Sequence, residues 1–195
     1  MSKPYIMHRA SPADLPEVMA LLDERRRWLH EQGSDQWSPD RAFATRMAHA
    51  VDRRETLLLR DEGVSIATIT VTSEGDPDFW TPYELKESAL YLGKMASAVC
   101  RSGEGLGALM VSWAQDWAAR SGFDSLRWDA WRTNDKLQDY YRSIGGRYIR
   151  TVYAAHRWSG ALFQIPTRRI VNLSDCVITC LPGSDLRQWG EPHVV

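Results

Sequence analysis

The sequence predicts an α/β fold with a mixed, mostly antiparallel sheet, one parallel strand pair in its middle and flanking helices. Three observations predict it. Strand-like and helix-like stretches alternate along the chain. Two β-rich runs, "ETLLLRD" and "VSIATITVTS", are separated only by Glu62-Gly63 and so read as an antiparallel hairpin. One strand–helix–strand crossover stands out, across 89–131, and such a crossover joins parallel neighbours. A chain of 195 residues suits one domain. Residues 1–166 fit this plan, and 167–195 form an extension that adds a strand, covers an edge or reaches a partner subunit.

The elements follow in order. "YIMHRA" is a short first strand. Ser11-Pro12-Ala13-Asp14 then starts a helix: serine caps, proline fits the first turn, and the acid favours the positive end. Leu15, Val18 and Leu22 continue it at helical spacing, and Gly33 stops it. Ser38-Pro39 repeats the start signal before the apolar face Phe43, Met47 and Val51. In the hairpin's second run, Ile66, Thr68 and Thr70 share one face and Ala67, Ile69 and Val71 the other. "EGDPDFWTPYELKES" has loop composition, and "ALYLGKMAS" is the next strand. After a glycine-rich loop, Leu106, Leu109, Met110, Trp113 and Trp117 mark a helix. "SLRWDAW" is a strand, Leu137 to Ile144 a short helix closed by Gly145-Gly146, and "RYIRTVYAAHRW" and "ALFQIP" a last pair of strands.

Bulk properties narrow the function. Hydrophobic residues make up 44% and charged residues 25%, the balance of a globular domain. The net charge of −1 argues against broad binding of nucleic acid or of a membrane surface. The N-terminus has no apolar signal core, so a cytoplasmic location is expected. Cys100, Cys176 and Cys180 form no disulfide framework, and the spacing of the last two lacks a second ligand pair, so no metal site is expected.

"RSGEGLGALM" carries the chemistry. Gly103, Gly105 and Gly107 precede an apolar helix and follow a strand. A helix N-terminus has unpartnered N–H groups and a partial positive charge, and glycines let a phosphate approach them. A Walker loop is excluded because Ala108-Leu109 follows Gly107 where Lys-Ser/Thr is needed. The dinucleotide fingerprint is excluded because the glycines run G-x-G-x-G rather than G-x-G-x-x-G.

The stretch "SGEGLGALM" resembles the pyrophosphate loop of the GNAT superfamily of acyl-CoA-dependent N-acyltransferases, whose motif runs Gln/Arg-x-x-Gly-x-Gly/Ala. Gly105 and Gly107 match its glycines. Ser102 stands at its first position, with Arg101 one place earlier. The resemblance continues in "WRTNDKLQDYYRSIG", where Asn134, Tyr141 and Gly145 keep the family's intervals; Gly146 replaces the usual aromatic after the glycine. "HRASPADLPEVMALL" is similar to the family's first strand and helix.

The resemblance implies acetyl-CoA or another acyl-CoA as cofactor and a small primary amine as acceptor. It also implies that the central parallel pair splays apart. Backbone N–H groups of Ser102, Gly103, Glu104, Gly105, Leu106, Gly107 and Ala108 would hold the pyrophosphate. The pantetheine arm would lie along Lys94 to Ser97, with Met95, Ala96 and Ser97 as contacts. One N–H there would polarise the thioester oxygen and stabilise the tetrahedral oxyanion. Asn134 would meet the cofactor arm, a role compatible with capping its helix. Tyr141 is the candidate general acid for the leaving thiolate, and Asp129 the candidate base, with Glu84 and Glu87 as other acids within reach. Trp37, Tyr91 and Trp131 are candidate walls of the acceptor pocket, and Asp35 a candidate partner for an ammonium. For Trp37, stapling of the second helix competes with that role. Gly93 stands where the family often carries a polar group, which implies different substrate contacts. A non-catalytic CoA-binding module is the alternative. Acylation of charged tRNA through Arg25-Arg26-Arg27 competes with reading that run as a solvated helix face. A homodimer is compatible with the extension.

Overall fold

A computed structural model describes residues 3–37 and 42–180. In chain order its main elements are β1 Tyr5–Arg9, α1 Leu15–Glu31, α2 Phe43–Asp52, β2 Thr56–Asp61, β3 Val64–Thr72 and β4 Ala89–Ser97. Then come α3 Leu106–Arg120, β5 Ser125–Trp131, α4 Asp135–Ser143, β6 Arg147–Thr151, β7 Ser159–Pro166 and β8 Val177–Cys180. Every helix and strand expected from the sequence is present. The Ser38-Pro39 start signal lies outside the described residues, and α2 is seen from Phe43. Among the described residues no helix is long and apolar enough to cross a membrane. Contacts sort the chain into two compact units, with boundaries inside β4 and inside α3.

The first unit gathers the chain up to Val71, Lys94–Trp113 and the residues from Val171. Its strands run in the order β3-β2-β1-β8. β1–β2 and β2–β3 are antiparallel, and β8 lies parallel to β1 with Tyr5 opposite Val177. The start of the C-terminal extension thus adds an edge strand, anchored by a hydrogen bond from Trp113 Nε1 to Thr179 Oγ1 (2.9 Å). Ile66, Ala67, Thr68 and Ile69 are all buried, so β3 is covered on both faces where alternation alone leaves that open. Thr68 tolerates this because its hydroxyl donates to Leu57 O at 3.0 Å. The helices bury Val18, Leu21, Leu22, Met47 and Val51 in one cluster with Leu58, Ala96 and Ala98.

The second unit comprises Thr72–Gly93 and Ala114–Ile170 among the described residues. Its strand order is β6-β7-β5-β4. β6–β7 and β7–β5 are antiparallel; β4–β5 is the expected parallel pair. That ladder runs from Ala89↔Ser125 to Leu92↔Trp128 and ends before β4 reaches Lys94. Lys94 has φ +48, a left-handed value that is costly for a side-chain-bearing residue inside a strand and marks a bulge.

Three arginines hold the long segment before β4. Arg127, 2% exposed, pairs with Glu87, donates to Glu84 O and to Gln164 Oε1, and lies 4.8 Å from the Trp80 ring. Arg150 donates to both carboxylate oxygens of Glu84 (2.6 and 2.7 Å) and to Phe79 O. Arg157 pairs with Asp76 and Asp78. A segment of loop composition is thereby fixed through ion pairs in which Arg127 is buried and the other partners are partly exposed.

Aromatic packing explains Gly146. Trp128 stacks on Phe163 (5.9 Å) and meets Tyr141 edge-on (5.3 Å). A Cβ on Gly146 would lie 2.8 Å from the Trp128 ring and 2.8 Å from Tyr141 O. The indole supplied by β5 fills the space beside residue 146, which leaves none for a side chain there.

Two predictions follow from this packing. Gly146→Ala lowers unfolding free energy by about 1–3 kcal/mol, because the methyl group overpacks a site bounded by a ring and a backbone carbonyl; chemical denaturation measures it. The second concerns Glu84, whose carboxyl is lowered from its ordinary value of 4.5 to about 2, chiefly by hydrogen bonds from Arg150. A depressed folded-state pKa stabilises above the unfolded value, and that stability is lost as pH falls from about 4.5 toward 2. Glu84→Gln is therefore less stable than wild type at pH 7, and the gap closes across that window in denaturation curves.

Candidate active site

The glycine loop belongs to the first unit. After β4 the chain makes a 3-10 turn, Val99–Arg101, and reaches α3 through Ser102–Gly105. Gly103 and Gly105 have φ of +91 and +74, and a Cβ on either would meet nothing within 4 Å. Their glycine character serves backbone conformation and open space. The amides divide into two sets. Ser102 N donates to Val99 O (3.1 Å) and Glu104 N to Arg101 O (3.4 Å). Among the described residues, Gly103, Gly105, Leu106, Gly107 and Ala108 have no acceptor for their N–H groups. Five free donors at the start of a fifteen-residue helix form an anion cradle, reinforced by the helix dipole.

Arg101 does not add its charge to that cradle. Its guanidinium binds Asp61 (3.0 Å) and Glu104 (2.6 Å), and these hydrogen bonds raise its pKa further. It ties the loop to the end of β2. Met95, Ala96 and Ser97 lie on β4 beyond the bulge; Ala96 is buried and the other two are half-buried. Trp37 has φ +58 and packs against the α1–α2 cluster, in keeping with the stapling alternative.

The second unit holds the acid–base candidates. Asn134 caps α4, its Oδ1 accepting from Leu137 N at 3.0 Å. This places Tyr141 two turns into the helix, on its buried side. Tyr141 is 8% exposed and packs against Trp128, Phe163 and Tyr140. Burial raises its pKa well above that of a free phenol, and the charges of Asp129 and Tyr140 add to the rise. Glu84 and Glu87 are tied to Arg150 and Arg127, and Glu84 is too acidic for a good base. Tyr91 is a core residue, 7% exposed, edge-on to Trp80 and 3.3 Å from Arg127 through its hydroxyl. Trp131 ends β5 half-buried, and its carbonyl accepts from Gln138 Nε2. Asp35 is exposed and Gly93 partly exposed.

Sequence reasoning missed three features: Arg127 as a buried hub, Arg101 as a loop tie, and Glu24 with Arg25 against the end of β4. Only the last carried a signal, an acid beside a basic run on an amphipathic helix.

No family model matches the chain. It is 25% identical over 146 residues to the uncharacterized N-acetyltransferase YesJ of Bacillus subtilis (strain 168), covering 70% of this chain and 78% of that protein. Its structure is similar to a GNAT-family acetyltransferase from Streptococcus agalactiae 2603, with TM-score 0.70 and 16% identity over 85% of this chain and 96% of that one. A GNAT-family acetyltransferase from Listeria monocytogenes 4b F2365 gives TM-score 0.68 and 20% identity, over 83% and 94%. The protein yncA of Salmonella typhimurium, solved with its cofactor acetyl-CoA, gives 0.59 and 15%, over 86% and 96%. The fold is thus that of GNAT-family acetyltransferases, the fold that the motif residues imply.

Proposed function

We propose that the protein is an N-acyltransferase that moves an acetyl group from acetyl-CoA to a small primary amine by direct attack within a ternary complex. One observation carries the reading: the five unpaired amides of Gly103, Gly105, Leu106, Gly107 and Ala108 at the N-terminus of α3. A pyrophosphate needs several convergent donors, no Cβ in its way and a positive dipole, and the loop meets all three needs. The likeness to an N-acetyltransferase and to a protein solved with acetyl-CoA gives the same direction.

Acetyl-CoA, when bound, supplies an acyl group activated as a thioester. The loop amides would hold its diphosphate. Backbone groups of Met95, Ala96 and Ser97 would receive the pantetheine arm, past the point where the β4–β5 ladder has ended. Asn134 would contact the arm while keeping its cap. Ser102 and Glu104 contribute through loop shape, since their own amides are engaged. Tyr141 would donate a proton to the departing thiolate. Its raised pKa keeps it protonated at neutral pH, the form a general acid requires. Asp129 is the group proposed to accept the proton of the attacking amine. Its negative charge favours the neutral phenol that the acid role of Tyr141 requires. Trp131 and Trp37 remain proposed acceptor walls; Tyr91 is instead packed in the core with Phe79 and Trp80.

Acetyl-CoA at a hundred times its dissociation constant should stabilise the fold by about 2.7 kcal/mol. For a chain of this size that raises Tm by about 5–10 °C. No shift, and no binding by calorimetry, overturns the reading. Tyr141→Phe keeps the ring packing and removes the proton. With an accepted amine, kcat should fall about 10²-fold or more while KM for acetyl-CoA stays near wild type, measured by release of free thiol. Binding without thiol release across an amine panel favours the non-catalytic module.

A further inference from the structure

We propose that Glu24 and Arg25 of α1 are positioning residues that clamp the end of β4 and so set the direction in which the loop amides point. The inference rests on the acetyl-CoA reading above. Two adjacent side chains of opposite charge engage two nearby backbone groups of opposite polarity. Arg25 Nη2 donates to Ser97 O at 2.7 Å and to Ser97 Oγ at 3.1 Å. Glu24 Oε2 accepts from Val99 N at 3.2 Å. Between them, Ala98 N donates to Ile66 O at 2.8 Å. Three consecutive residues are thus tied to two different elements, α1 and β3.

Among the described residues, the segment 100–105 makes its hydrogen bonds within the local chain and through the Arg101 side chain. Arg101 N donates to Ala98 O and Ser102 N to Val99 O, both at 3.1 Å. The orientation of the 97–99 peptides therefore passes directly into the turn that presents Gly103 to Ala108. Arg25 is half-buried and lies 5.0 Å from the Trp28 ring, which fixes the guanidinium further. Its neighbour Arg27 is exposed, and its Nε reaches only Asp23 O of its own helix, at 3.4 Å. The basic run is therefore a structural clamp at one residue and a solvated face at another.

A clamp of charge-assisted hydrogen bonds predicts a defined kinetic signature. Arg25→Ala should raise KM for acetyl-CoA about tenfold, the effect of losing one such bond, and leave kcat within about twofold. Arg25→Lys keeps the charge but gathers its donors on one nitrogen without the guanidinium fork, and should fall between. Arg27→Ala should match wild type. Glu24→Ala should speed hydrogen exchange at the Val99 amide in the ligand-free protein. Glu24→Gln should restore protection, because its amide oxygen still accepts. Variants are compared at equal Tm, and the two conservative variants serve where alanine does not fold. If wild type gains no stability from acetyl-CoA, the functional reading fails and the positioning role fails with it. If wild type binds but Arg25→Ala keeps its KM and Glu24→Ala its Val99 exchange, the clamp alone is overturned.

Discussion

The constraint on which the site depends is that a helix cannot satisfy its own first amides. Most helices answer this with a capping side chain or water. Here α3 starts from glycines, with no capping serine, threonine or aspartate directly before Leu106. Five amides stay open, and the loop is exposed enough for water to occupy them without a large penalty. An anion that replaces that water gains a set of donors already ordered. The cost of ordering is met in folding, by the ties at 97–99 and at Arg101, and is not charged to binding.

The charge arrangement fits recognition by backbone. Arg101 is the cation nearest the loop in sequence, and Asp61 and Glu104 compensate it. What remains for a ligand is the field of oriented amides, which discriminates by geometry more than by charge. This accounts for Ser102 at the position where the family motif has Gln or Arg. The side chain there is not needed if the neighbouring guanidinium holds the loop through β2. Arginine serves in the same way in the second unit, where Arg127, Arg150 and Arg157 bind acids and carbonyls of the segment before β4.

Local patterns made much of this legible in the sequence. The Ser11-Pro12-Asp14 start, the Glu62-Gly63 hairpin and the Asn134 cap depend on neighbouring residues, and each is found. Three glycines, without side chains to cover their amides, point to the open donors at the start of an apolar helix. The rest depends on residues distant in the chain. Nothing near Arg127 shows that Glu87 and Gln164 converge on it, forty and thirty-seven residues away. β8 has only four residues, too few for a periodic pattern. Arg25 looked solvated because a basic run on a helix is usually that. Its contact with Ser97, seventy-two residues on, exists only once β4 is in place. The sequence offers Glu84 and Glu87 both as acids within reach and as salt-bridge groups, and tertiary contacts make them the latter.

The same distinction bears on the acid–base pair. A tyrosine at helical spacing from Leu137 reads equally as core or as catalyst, and here packing is part of the chemistry proposed for it. The rings of Trp128 and Phe163 remove water from Tyr141, which holds its proton firmly and makes the neutral phenol the only form present at physiological pH. Such a phenol is inert toward weak bases. An alkyl thiolate is a weaker base than such a phenolate, so the proton transfer proposed for Tyr141 must be coupled to C–S cleavage and begins as a hydrogen bond to the sulfur. The charge of Asp129 opposes a second anion there and adds to the hold on the proton. In the proposed role, burial for packing would thus keep the proton on Tyr141 until the bond breaks.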